Sequence, residues 1–190
     1  MVNEAVVARA KAGKAPIKSK MPSSYGYAES VPALCETRWG QDAPYNNLCP
    51  TATDGTRTLT GCAATSNAQV LFYHRAPEHG IGSHTIYYPA NNMAGMKISV
   101  DFEKDNYDWN AMLETYGSGY STEEGDSVAL IMRDLGVAFD MEYGSDAEGG
   151  SGALHENVAI GLQRYYGIDD AKYIVRKDYS DDEWMRIIYE

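Results

Sequence analysis

The chain has 190 residues, 27 acidic and 16 basic, a formal net charge of −11 and 44% hydrophobic residues. That length and apolar content suffice for one domain with a sizeable core and exceed what composition-driven disorder allows. The acidic excess argues against a nucleic-acid partner, because neutralising phosphates takes clustered Lys and Arg.

No run approaches the roughly 18 uninterrupted apolar residues of a membrane span. Val6, Val7 and Ala8 are followed at once by Arg9, Lys11 and Lys14, so no apolar signal core is present. An export signal is therefore expected upstream of Met1 or not at all. Residues 1–30 are rich in Ala, Lys and Ser and carry the one basic cluster, Arg9, Lys11, Lys14, Lys18 and Lys20. They read as a linker or the end of a pro-segment.

Residues 31–60 are punctuated by Pro44, Asn46, Asn47, Pro50, Asp54 and Gly55 and are expected to be mostly loop. The texture changes at Gly61. From Cys62 to about Tyr73 the run CAATSNAQVLFY has no Pro or Gly. Ala64, Ala68 and Leu71 fall on one helical stripe, beside Val70 on a second. Such small side chains predict a helix packed on nearly all sides, ended by Pro77 and Gly80. Residues 84–110 read as loop and short strand, with alternation over Met96–Phe102.

A second helix is predicted at about 124–135 and stopped by Gly136; a third, at about 156–166, is stopped by Gly167. The glycine-rich loop Gly144–Gly152 joins them. Ser180 and Glu183 form a capping-box pattern that opens a last helix, with Trp184, Ile187 and Ile188 as its apolar face.

The cysteines, Cys35, Cys49 and Cys62, lie 14 and 13 residues apart, far from the short spacing of a zinc knuckle, so no metal is expected. An odd count leaves at least one thiol free. Pairing of Cys35 with Cys49 would give a disulfide-stabilised module in an oxidising compartment. Cys62 follows Gly61 at the start of the alanine-rich helix, where the positive end of the helix dipole favours a thiolate. Gly61 also lets the backbone approach closely, so the Cys62 amide is placed to donate to an oxyanion. The plainer reading of Cys62 is a small buried thiol.

Three stretches together are more specific than any short motif: Trp39-Gly40-Gln41-Asp42-Ala43-Pro44-Tyr45-Asn46 with Cys49-Pro50, the run TGCAATSNAQVLFYHRAPEHGIGS from Thr60 to Ser83, and Tyr107-Asp108-Trp109-Asn110 followed by Asp134 to Gly144. They resemble the streptopain family of bacterial cysteine peptidases, interpain-like enzymes included, over about residues 31–190. The resemblance implies an α+β, papain-like fold, a peptide or protein substrate and no cofactor. It also implies an inactive zymogen, exported and then secreted, surface-bound or periplasmic. Cys62 matches the family nucleophile, and Gln41 the glutamine that donates to the oxyanion. Gly150, Ser151 and Gly152 match a loop bordering the substrate cleft, longer here by about three residues than in the family.

The family's histidine, in a Gly-Gly-His segment, and its later Asn-Trp-Gly-Trp segment have no counterpart. His74, His79, His84 and His155 lack that context. Twelve helical residues at about 1.5 Å each place His74 roughly 18 Å from Cys62. The general base is thus expected beyond Glu190 or on a second chain. On this reading residues 31–190 are a peptidase domain truncated after its nucleophile-bearing portion, inactive alone, with its own pro-segment or a histidine-bearing chain as partner. The alternative is a non-catalytic peptide-binding or structural module built on a degenerate papain-like half.

Overall fold

The computed structural model describes residues 33–89, 93–117 and 119–189, so the arm expected at 1–30 lies outside the described residues. Contacts divide the chain into two compact units. One is Leu34–Ala171; the described residues 172–189 belong to the other.

The first unit contains, in order, α1 (Cys62–His74), β1 (Ser83–Tyr87), β2 (Lys97–Asp101), α2 (Thr122–Ala138) and α3 (His155–Tyr166). Helix α2 is its centre and touches α1, α3 and both strands. Its start is fixed by a capping box. The Glu124 amide donates to Ser121 Oγ at 3.2 Å, and the Ser121 amide donates to Glu124 Oε2 at 2.6 Å. From there Val128, Ile131, Met132, Leu135 and Val137 are fully buried, each side chain contributing roughly 1.5–3 kcal/mol by leaving water.

Gly136 is not the stop that its position suggested. The helix continues to Ala138, and a Cβ at residue 136 would lie 2.1 Å from Tyr143 Oη. The glycine makes room for a returning tyrosine ring. Gly161 does the same for α3, where a Cβ would lie 2.5 Å from the Ala138 carbonyl oxygen. Gly167, in contrast, closes α3 as expected, in the left-handed conformation at φ 65°.

Helix α1 also runs close to its predicted length. Its C-terminus is set by Arg75 in the left-handed region, two residues before Pro77. Ala64, Thr65, Ala68, Leu71 and Phe72 are buried, but Val70 and Tyr73 are 41% and 45% exposed. The second apolar stripe is therefore Thr65 and Phe72, and the all-round packing expected of this helix is not observed. Strands β1 and β2 pair antiparallel, Ser83 opposite Asp101 and Ile86 opposite Ile98. They form a two-stranded sheet within the predicted loop-and-strand stretch.

A buried polar cluster ties α2 to its neighbours. Asp134 is fully buried; its Oδ2 accepts from the Tyr107 hydroxyl at 3.0 Å and its Oδ1 from Arg133 Nε at 2.8 Å. Arg133 also reaches Asp105 at 2.6 Å, and the Tyr166 hydroxyl lies 3.3 Å from that of Tyr107. Burial pushes the Asp134 carboxyl up to about 7; the Arg133 charge pulls the other way and that of Asp105 adds to the rise. Arg133 is raised too, against the effect of its own burial, which taken alone suggests an ionised Asp134. Asp105 reconciles the two, since one guanidinium fully neutralises only one carboxylate and Asp134 is the more deeply buried.

In the second unit a turn of 3-10 helix (Arg176–Asp178) precedes α4 (Asp181–Tyr189). The expected capping box is present, the Ser180 amide donating to Glu183 Oε2 at 2.9 Å and the Glu183 amide to Ser180 Oγ at 3.3 Å. Trp184 is buried, flanked by the Tyr179 ring and the Arg176 guanidinium. Among the described residues, no helix is long and apolar enough to cross a membrane.

Candidate active site

Gly61 sets the geometry. At φ 85° and ψ 141° it occupies backbone space open essentially to glycine alone. A Cβ there would also fall 2.6 Å from Met141 Sδ. The chain turns at this residue, and Cys62 becomes the first residue of α1, exposed to solvent. The helix has no side-chain cap and no acidic residue in its first turn. The positive end of the dipole and the first-turn amides are therefore left facing Cys62 and whatever lies beside it.

A set of short polar links holds residues 40 and 41 against this helix start. The Thr60 amide donates to the Gln41 carbonyl at 3.1 Å. The buried Thr65 hydroxyl lies 2.9 Å from that of Thr60, 3.1 Å from the Gly61 carbonyl and 3.4 Å from the Gly40 carbonyl. Trp39 anchors the same segment, its indole N–H donating to the Leu113 carbonyl at 2.8 Å and its ring 5.0 Å from that of Phe72.

The result is a cleft of about 610 Å³. Segment 39–42 contributes Trp39, Gly40, Gln41 and Asp42; α1 contributes Cys62, Thr65, Ser66 and Gln69; Leu59 and Asp146 complete the lining. Gln41 and Cys62 are thus brought together. Gly150, Ser151 and Gly152 are not in the lining; a Cβ on Gly150 would stand 3.5 Å from Leu59 Cδ1, and the Ser151 carbonyl lies 3.2 Å from where a Cβ on Gly61 would stand. The Ser151 hydroxyl is engaged within the fold. It lies 2.6 Å from the Leu59 carbonyl, which it reaches as donor, and accepts from the Gly144 amide at 3.0 Å. Paired amides and carbonyls of Glu142 and Gly152, at 2.8 and 3.0 Å, close the base of this loop.

The sequence motifs do not mark Asp42, Leu59, Thr65, Ser66, Gln69 or Asp146 as site residues. Ser66 and Gln69 stand four and seven positions after Cys62, so helical spacing alone puts them on its face. Asp146 carries no such local signal.

None of the histidines lines the cleft. His74 is the last residue of α1 and His155 the first of α3. His79 Nδ1 lies 3.0 Å from the Gly80 carbonyl. His84 Nε2 meets Asp140 Oδ1 at 2.7 Å. All three cysteines are free thiols, so the Cys35–Cys49 pairing is not formed. Burial pushes the Cys49 thiol up to about 12, leaving it unreactive.

The sequence profile of the Peptidase C10 family matches residues 39–190. Active wild-type interpain A, a cysteine protease of Prevotella intermedia, superposes with a TM-score of 0.81 at 46% identity, over 88% of this chain and 68% of that one. A prointerpain A fragment from the same organism, with one cysteine replaced by alanine, gives a TM-score of 0.82 at 44% identity, over 98% of this chain and 58% of that one. Streptopain of Streptococcus pyogenes is 27% identical over an alignment of 186 residues that covers 91% of this chain and 44% of streptopain. The chain thus spans less than half the length of that curated relative. The α+β, papain-like fold expected from the motifs is the fold of these proteases, and the chain belongs to the Peptidase C10 family.

Proposed function

We propose that this chain carries the nucleophile and the oxyanion site of a cysteine endopeptidase. The observation that carries the reading is the exposed thiol of Cys62, at the uncapped start of α1, in one cleft with Gln41. Cys62 Sγ, as thiolate, adds to the scissile carbonyl carbon. The carbonyl oxygen becomes an oxyanion held by the Cys62 amide and the Gln41 side-chain amide. The C–N bond then breaks, the amine leaves with a proton, and water hydrolyses the remaining thioester. A histidine takes the thiol proton and returns it to the amine. It is supplied by sequence beyond Glu190 or by a second chain, since none of the four histidines here lines the cleft. Gly150, Ser151 and Gly152 form a backbone rim against which the substrate main chain lies.

We place the protein outside the cell, made as a zymogen and matured by removal of a pro-segment. The pro-form of the Prevotella intermedia relative supports this.

The test is hydrolysis of a denatured protein by the chain extended with its native downstream sequence. Cys62→Ala should abolish turnover, and Gln41→Ala should lower kcat by about 100-fold with little change in KM. The 190-residue chain alone should show none. Cys62-independent turnover by the extended chain would overturn the assignment. Cys62-dependent turnover by the 190-residue chain would place the base within it, and His155 would be the first residue to replace.

A further inference from the structure

We infer that the cleft selects peptides carrying a lysine or arginine beside the scissile bond, through Asp42 and Asp146. The inference rests on the peptidase reading and names its substrate class. The ten residues of the lining include two carboxylates, one from the segment that carries Gln41 and one from the glycine-rich loop, and no lysine, arginine or histidine. Both aspartates are exposed, and neither carboxylate is paired with a cation among the described residues.

Asp42 is held at the cleft by its surroundings. Its Oδ1 lies 3.0 Å from where a Cβ on Gly40 would stand, so the missing side chain of Gly40 is the space the carboxylate uses. Its backbone carbonyl accepts from the Asn46 amide at 3.2 Å, which fixes the turn. Asp146 begins the 3-10 turn Asp146–Glu148. That turn is fixed by Ser145, whose amide and hydroxyl both donate to Glu148 Oε2, at 3.0 and 2.9 Å. The capping carboxylate is that of Glu148, and Asp146 stands in the cleft lining.

A cationic side chain entering here meets two anions and no competing cation; an anionic one meets like charge from both. The rest of the lining supports an extended, amphipathic stem such as that of lysine. Trp39 and Leu59 offer apolar surface, while Gln41, Ser66 and Gln69 offer hydrogen bonds. Each exposed ion pair is worth a factor of about 1.5–5 in binding. Two carboxylates, attractive for one peptide and repulsive for the other, should separate matched lysine and glutamate peptides by about ten-fold. The separation should shrink as salt screens the rim.

The test uses the extended chain bearing Cys62→Ala, so that binding is read without turnover. Fluorescence anisotropy with matched peptides, identical but for Lys, Gln or Glu at one position and scanned through the positions flanking the bond, should order affinity Lys > Gln > Glu at one position. The Lys-to-Glu ratio should fall several-fold with Asp146→Asn and with Asp42→Asn, and Asp146→Lys, which leaves Asp42 facing a single cation, should bring it near one. Equal binding of the three peptides at every position overturns the inference, as does a ratio that none of the variants moves. Ordered binding without any hydrolysis by the unmutated extended chain would sink the peptidase reading and leave the basic-peptide site standing.

Discussion

The cleft around Cys62 and the cluster around Asp134 hold the protein's two most chemically suggestive groups, under opposite conditions. Asp134 is fully buried, its carboxyl pushed up to about 7, and each of its oxygens accepts a hydrogen bond. Cys62 is exposed, and the first-turn amides beside it have no side-chain acceptor. A strongly displaced carboxyl is a frequent mark of a functional site. Here it marks a knot between α2, α3 and the loop at residues 105–107, with every partner accounted for; among the described residues no buried side-chain polar atom lacks one. Reactivity belongs instead to the group with access to solvent and donors left over. The displacement follows burial, and the chemistry follows the unfilled positions.

The sharpest way to break this contrast is Gly61→Ala. It forces a side chain into glycine-only backbone space and against Met141. Strain and overpacking together should cost about 3–5 kcal/mol in denaturant unfolding, with slower alkylation of Cys62 in whatever remains folded. A loss below about 1 kcal/mol would mean that the start of α1 does not depend on this residue.

Asp134→Asn tests the other side. Burial holds the native carboxyl at about 7, well above the usual carboxylate range. Between that range and about 7 the folded state holds a proton that the unfolded state has lost. Stability from this group should therefore fall as pH rises from about 4 to about 7. The asparagine variant should lack that component and give a flatter profile, with the alkylation rate of Cys62 unchanged. A wild-type profile already flat across that window would remove the contrast.

Thr65→Val is the mildest change. It removes the hydroxyl that meets Thr60, Gly61 and Gly40 and strands the buried Thr60 hydroxyl, for a loss of about 1–2 kcal/mol. Because these links hold the Gln41 segment, kcat of the extended chain should fall while KM stays near its value. A stability loss with no change in kcat would make the network purely structural.

What was legible in the sequence was local. The alanine-rich helix opening on Cys62, the stop at Gly167 and the Ser180–Glu183 box depend on neighbours within one turn, and each stands where it was expected. Gly136 was misread because its reason is Tyr143, seven residues on and returning from outside the helix. The exposure of Val70 likewise follows from what packs on α1, which its own spacing does not specify. Gln41 was reached through the motif it stands in. Asp146 was not reached at all, since its place at the cleft depends on the glycine-rich loop folding back to Leu59 through Ser151.

The glycines at 136 and 161 have a consequence for anyone mapping tolerance by saturation mutagenesis. Each faces a backbone or ring atom nearer than any Cβ can approach, so every replacement, alanine included, should fail. A screen scored by activity would rank both beside Cys62 as indispensable, although neither lines the cleft. Scoring soluble protein in parallel separates the two classes: substitutions at Cys62 should keep the yield and lose the activity, whereas those at 136 and 161 should lose both.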